Sequence, residues 1–267
     1  MGDFVQMMAD NNWIEGSLGP TKSPGAYCTN FAKSRTPRVY MCYSGTLANI
    51  QTLAHELGHA FHSWVMKDMA YEETFYPMTL AESASIFGET ILQDELEQAS
   101  KDKWQRLESN WQEVSSAAAI LLNIMARFDF EHEVYQKRRT SVFSPEDYKT
   151  MMAKAWENNY GDAVESMDSM LWASKLHFYL SGISFYNFPY IFGYLFSLGI
   201  YAQKDNLGEN FYSTYINLLK DSGRMTAEEV AKKHLTQDLT DTKFWDESLK
   251  IVEQKLQKFE ASVEECF

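Results

Sequence analysis

A chain of 267 residues can bury a large core, as one large domain or two small ones. Its composition, 45% hydrophobic and 15% aromatic, excludes a disordered chain and predicts a globular protein. The formal net charge of −13 leaves no basic stripe to neutralise phosphates, so nucleic acid is excluded as an expected partner.

The cysteines and the N-terminus predict the compartment. Cys28, Cys42 and Cys266 are odd in number, widely spaced and without a C-x-x-C pair, which favours a reducing compartment over a disulfide framework. The first residues show no basic segment followed by an apolar one, so no signal peptide is predicted. The most apolar stretch, 185–201, contains Pro189 and several tyrosines and predicts a buried helix, not a membrane span. We therefore expect a cytoplasmic protein with no membrane partner.

The first 45 residues predict a short helix, a loop and a β-ribbon. Residues 1–15 form the helix, which ends near Trp13, and prolines and glycines mark the loop that follows. Residues 27–31 and 38–43 alternate in the manner of paired strands. This ribbon is either an edge that pairs with an extended peptide or a simple cover for the next helix, and both interpretations stay open.

Nearly every segment after residue 45 has helical periodicity. Ser144 and Pro145 form a helix start, and Thr226 with Glu229 forms a capping box. The predicted helices cover residues 46–67, 79–109, 111–138, 145–160, 186–204, 211–219, 226–234 and 242–259. The sequence thus predicts a mainly α fold with a small β-ribbon or sheet before the first long helix, and no linker that would divide it into domains.

An H-E-x-x-H motif lies inside the first long helix. His55 and His59 are four residues apart, so both rings lie on one helix face and can bind the same metal ion. Zinc suits two imidazoles and a carboxylate with an open position for water. Glu56 can reach that water without binding the ion, take its proton and pass it to a leaving amine. The motif predicts one Zn²⁺ and hydrolytic chemistry.

The third ligand has several candidates. A third histidine would stand at position 65, which is valine, so we expect a carboxylate from a following helix. The candidates are Glu72, Glu73, Glu82 and Glu89. Glu72 and Glu73 lie in a polar loop, where solvation explains them. Glu82 lies among small residues that permit close helix packing, and it either binds the metal or caps the helix at Thr79.

Two further polar residues share these helix faces. Glu89 is two turns beyond Glu82 and either accepts the second ring N–H of a ligand histidine or forms a surface ion pair. His62 lies on the face of His55 and His59, but we interpret it as a packed, hydrogen-bonded core histidine.

Three segments together resemble oligoendopeptidase F, of the thimet oligopeptidase group of zinc peptidases. They are residues 37–45, residues 52–62 around the motif, and residues 81–89, Ala-Glu-Ser-Ala-Ser-Ile-Phe-Gly-Glu. The resemblance implies that Glu82 is the third zinc ligand beside His55 and His59. It also implies a zincin-like helical catalytic lobe that hydrolyses internal bonds of short peptides, with Glu56 as general base and acid.

The same resemblance extends to an aromatic segment near residue 180. It implies that His177, Tyr186 and Tyr190 hold substrate and stabilise the oxyanion, a role that a phenol can fill by donating a hydrogen bond. Without the resemblance these rings would be interpreted as a core stripe. The segment departs from the family pattern at Phe188 and Pro189 and in its spacing, so the tyrosine that contacts the oxyanion is not identified.

The resemblance spans essentially the whole chain but only part of the family protein, which is about twice as long. We expect residues 1–267 to form a single catalytic domain without the family's N-terminal lobe, through truncation or as a natural short form. The alternatives are a helical metallocarboxypeptidase and a zinc-loaded but inactive peptide-binding module. The oligomeric state is not predicted.

Overall fold

The computed structural model describes residues 1–267, and helices dominate it. Contacts divide the chain into two compact units, one of residues 1–113 with 193–267 and one of residues 114–192. The second unit is thus an insertion in the sequence of the first. The mainly α fold is confirmed, whereas the single catalytic domain stays a prediction.

The first unit contains most of the helices. They are α1 (Gly2–Asp10), α2 (Leu47–Val65), α3 (Met78–Ala99), α9 (Lys204–Leu207), α10 (Phe211–Asp221), α11 (Ala227–Leu235) and α12 (Thr242–Cys266). The second unit holds α5 (Ile124–Lys137), α6 (Pro145–Tyr160) and α7 (Leu171–Ser174). Two helices, α4 (Lys103–Ala118) and α8 (Phe188–Ala202), run across the unit boundaries. No helix is both long enough and apolar enough to cross a membrane.

A three-stranded sheet precedes α2, with strand order β1–β3–β2. The strands are β1 (Ile14–Glu15), β2 (Ala26–Phe31) and β3 (Thr36–Met41). β2 and β3 pair antiparallel, with Tyr27 opposite Tyr40, so the predicted ribbon is confirmed. β1 joins in parallel, with Ile14 opposite Val39, and was not predicted because two residues give no alternation.

The break between α3 and α4 corrects the predicted helix 79–109. Asp102 accepts hydrogen bonds from the backbone N–H groups of Trp104 and Gln105, at 2.9 and 3.0 Å, and so begins a new helix. The predicted break near residue 110 is wrong, because Ser109 and Asn110 are buried inside α4. The N-cap signal at Asp102 was present in the sequence but lay within a run that favoured one continuous helix.

The second unit is built on α5 packed against α6. Its buried core includes Phe130, Met152 and Trp156. The predicted N-cap at Ser144 is confirmed, because its hydroxyl accepts from the Asp147 N–H, and the Asp147 carboxylate completes an unpredicted capping box by accepting from the Ser144 N–H. The predicted helix 145–160 is therefore confirmed at both ends.

Candidate metal centre and aromatic cluster

Helix α2 carries the two histidines of the candidate metal centre. Thr46 caps this helix by accepting a hydrogen bond from the Asn49 N–H at 3.2 Å, and the predicted helix 46–67 is confirmed within two residues. One turn separates His55 from His59, and their ring centroids are 4.9 Å apart with the planes nearly perpendicular. This arrangement lets both rings converge on one point.

A glycine contact brings α3 against the histidine-bearing face of α2. A Cβ atom on Gly58 would lie 2.3 Å from the Ala84 carbonyl oxygen and 2.6 Å from the Ser85 Cα. The two helix backbones can therefore approach this closely only because residue 58 has no side chain. The approach places Glu82, at the start of α3, opposite the two histidines.

His55, His59 and Glu82 form the one group of three residues whose ligand atoms could hold a metal ion, all within 4.8 Å of one another. Glu82 Oε2 lies 3.3 Å from His55 Nε2 and 3.5 Å from His59 Nε2. Ligands about 2.0–2.1 Å from a tetrahedral zinc ion are about 3.3–3.4 Å apart. Direct N–H···O hydrogen bonds would be closer to about 2.9 Å. The three side chains thus fit a zinc ion in both donor type and spacing.

Two neighbours support Glu82 in this position. The Ser85 hydroxyl donates to Glu82 Oε2 at 2.9 Å. Gly193 of α8 lies against the same side chain, since a Cβ there would stand 2.5 Å from the Glu82 Cβ. The alternative capping role at Thr79 is not observed, because α3 begins after Pro77 and has no side-chain cap. Ser85 and Gly193 were not predicted, because only the tertiary contact gives them a role.

Glu89 holds the far side of His55. Its Oε1 lies 2.6 Å from His55 Nδ1. A carboxylate accepts, so Nδ1 carries the proton and Nε2 faces Glu82. Burial alone would lower the pKa of His55, but the two glutamates outweigh it and raise the pKa to about 10. Burial alone would raise the pKa of Glu82, but its polar contacts with the facing His55 and His59 rings outweigh burial and lower that pKa.

Glu56 is buried beside this cluster, with 6% of its surface exposed. Burial raises the pKa of its carboxyl, although the neighbouring His55 and His59 oppose the rise. A carboxylate with a raised pKa holds a proton more readily than an exposed one does, which suits a general base that must later act as an acid.

The other acids and the third histidine of this region lie apart from the donor set. Glu72 and Glu73 occupy the turn Tyr71–Thr74, where Glu73 pairs with Arg224 at 2.7 Å. His62 is fully buried, stacks on Tyr76, and shares a 2.8 Å hydrogen bond through Nε2 with the Ser222 hydroxyl. It is packed as predicted, but only one of its ring nitrogens has a partner.

The three aromatic residues predicted near position 180 form a cluster within the second unit. The ring of His177 lies 4.8 Å from that of Tyr186 and 6.2 Å from that of Tyr190, and the two tyrosine rings are 6.1 Å apart. Phe185, just before Tyr186, adopts a positive φ of 56°, and its N–H donates to Glu131 at 2.8 Å. A fixed turn therefore presents the first tyrosine.

Two unpredicted residues lie at the centre of this cluster. Asn187 Oδ1 is 2.8 Å from His177 Nδ1 and 3.1 Å from Arg127 Nη1. The sequence signal was slight, because neither residue forms a motif with the histidine and Arg127 is fifty residues earlier in the chain.

Known proteins resemble this chain over most of its length. The family model described as Peptidase family M3 matches residues 3–251. Oligoendopeptidase F, chromosomal, from Lactococcus lactis subsp. cremoris is 28% identical over 269 residues, covering 97% of this chain and 43% of that protein.

Solved structures of peptidases are also similar to this chain. Oligoendopeptidase-F from Enterococcus faecium is similar with a TM-score of 0.66 and 25% identity, covering 82% of this chain and 40% of that one. A candidate peptidase from Chlamydophila abortus has a TM-score of 0.78 at 24% identity. The match covers 97% of this chain and 44% of that one, and it shows that the two share a fold. The chain therefore spans less than half the length of the proteins it resembles.

Proposed function

Because the chain belongs to peptidase family M3, we propose that it is a zinc-dependent peptidase that cleaves internal bonds of short peptides. One observation carries the proposal: Glu82 Oε2 stands 3.3 and 3.5 Å from two histidine Nε2 atoms, the spacing of a tetrahedral zinc site. The names of the relatives, oligoendopeptidase F among them, support the substrate class.

In the proposed reaction, different residues of the chain bind the metal ion and transfer the proton. His55, His59 and Glu82 would hold one zinc ion, which when bound supplies a Lewis acid and lowers the pKa of water. Glu56 takes a proton from the attacking water and later returns it to the departing amine. Burial raises the pKa of the Glu56 carboxyl, so this group holds the proton between the two transfers more readily than an exposed glutamate would.

The aromatic cluster of the second unit supplies the substrate-binding groups of the proposal. Tyr186 and Tyr190 carry phenols that can donate to negative charge developing on a carbonyl oxygen. The ring of His177 lies 4.8 Å from that of Tyr186 and 6.2 Å from that of Tyr190, and His177 is proposed to contact substrate.

Cleavage of an internally quenched peptide, blocked at both ends, tests the proposal. We expect hydrolysis that a chelator abolishes and added zinc restores. A second peptide with the same sequence and a free C-terminus is the comparison. A carboxypeptidase would cleave only this second peptide, because it needs a free C-terminal carboxylate. A folded, zinc-loaded protein that cleaves neither peptide would contradict the proposal and favour the peptide-binding alternative.

Glu56→Gln is the variant that isolates the proton transfer. Glutamine keeps the shape but cannot accept a proton, so we expect kcat to fall by about a hundredfold or more. Zinc content, measured on the purified protein, should stay at the wild-type value because Glu56 is not a ligand. The matched control is Glu72→Gln, an exposed glutamate outside the site, which should keep wild-type activity.

A further inference from the structure

Asn187 is a buried amide at the centre of the aromatic cluster. Only 1% of its surface is exposed, and its Oδ1 atom faces two nitrogen atoms, His177 Nδ1 at 2.8 Å and Arg127 Nη1 at 3.1 Å. Its Nδ2 atom is buried and has no hydrogen-bond partner. Leaving an amide N–H unpaired costs free energy, so this orientation must be held by the contacts on the oxygen side.

Arg127 decides which way the amide points. A guanidinium only donates hydrogen bonds, so the atom that faces it must be the acceptor Oδ1. If the amide were turned over, two N–H donors would meet at 3.1 Å. Arg127 is half-buried and has no carboxylate within ion-pair distance, and burial lowers the pKa of its guanidinium. Asn187 is thus a principal acceptor for this cation.

The orientation of the amide in turn fixes the histidine. Because Oδ1 can only accept, the proton of a neutral His177 must be on Nδ1, and Nε2 then carries a lone pair. We propose that Asn187, oriented by Arg127, is a positioning residue that holds His177 in the Nδ1–H tautomer, so that His177 meets substrate through a hydrogen-bond-accepting Nε2.

This inference rests on the proposed function only for the statement that His177 contacts substrate. It changes the role expected of that histidine, because a neutral ring in this tautomer cannot donate to an oxyanion. Donation then belongs to the phenols of Tyr186 and Tyr190, and His177 accepts from a donor such as a substrate backbone N–H.

Nitrogen-15 NMR of the full chain reads the tautomer directly. The two nitrogens of a neutral ring have different shifts according to which one is protonated, and His177→Gln identifies the signal among the six histidines. At a pH where the ring is neutral, we expect protonated Nδ1 and unprotonated Nε2. A wild-type spectrum with the proton on Nε2 overturns the proposal.

Three variants test the positioning. Asn187→Leu removes the acceptor and Arg127→Met frees the amide to turn, so each should produce a substantial Nε2–H population. Asn187→Asp keeps an acceptor and should keep the wild-type tautomer. Arg139→Met, an exposed arginine outside the cluster, is the matched control. If Asn187→Leu fails to fold, the tautomer of His177 in Arg127→Met alone tests the proposal. An unchanged Nδ1–H signal in folded Asn187→Leu or Arg127→Met contradicts the proposal.

Peptide cleavage adds an independent readout. Loss of one positioned hydrogen bond to substrate should lower kcat/KM about tenfold in Arg127→Met and leave its zinc content unchanged. The NMR result stands without any activity, so a wild-type protein that shows the expected tautomer but cleaves nothing contradicts the proposed function and not the positioning. Wild-type kcat/KM in a variant whose tautomer has shifted would contradict the accepting role of Nε2.

Discussion

At the scale of single residues, we expect the candidate metal centre to couple zinc binding to the release of a proton. The two glutamates that face His55 raise its pKa to about 10, so at pH 7 the metal-free ring holds a proton that zinc must displace. We expect zinc binding to release about one proton from this residue and its apparent affinity to rise up to about tenfold per pH unit below that pKa. Calorimetry in buffers of different ionisation enthalpy measures the release. Heats that are independent of the buffer would contradict it.

The hydrogen bond from His55 to Glu89 predicts that substitutions of Glu89 weaken zinc binding, and that the larger change weakens it more. Glu89→Gln keeps an acceptor for the Nδ1–H but loses the charge, and Glu89→Ala loses both. We expect the dissociation constant to rise about tenfold in the first variant and about a hundredfold in the second. Competition with a fluorescent chelator measures both. Glu95→Gln, an exposed glutamate on the same helix, is the control, and equal affinities across the series would show that Glu89 is only a surface acid.

At the scale of secondary-structure elements, the contact between α2 and α3 sets the ligand geometry. In Gly58→Ala the new methyl group would meet backbone atoms at 2.3 and 2.6 Å, which side-chain motion cannot relieve. We expect the free energy of unfolding to fall by about 2 kcal/mol or more, although alanine favours helices by about 1 kcal/mol. Urea denaturation measures the change. The control is Gly2→Ala, where a Cβ meets nothing within 4 Å, and a comparable loss there would contradict the packing argument.

The elements also show what the sequence could predict. Helix α2 and its motif were predictable because capping, periodicity and the H-E-x-x-H spacing all act within one helix. The α3–α4 break was misplaced because a local cap at Asp102 competed with a continuous helical pattern. Gly193, Arg127 and Asn187 could not be assigned a role, because each acts through a contact with a residue distant in the chain. Sequence reasoning thus named the three residues that the structure groups as candidate metal ligands, and it missed residues whose roles depend on long-range contacts.

At the scale of the whole molecule, the net charge of −13 predicts a substrate preference that depends on salt. A negative protein attracts cationic peptides over a distance that shrinks with ionic strength, to about 10 Å at 0.1 M salt. We expect kcat/KM for a lysine-flanked peptide to exceed that for its glutamate-flanked counterpart at low salt. The ratio should fall towards one as salt is raised, while a neutral peptide with the same cleavage site changes little. Cleavage rates of the three blocked peptides across a salt series measure the effect. A ratio that does not change with salt would place the preference in short-range contacts at the site, because only long-range attraction is screened.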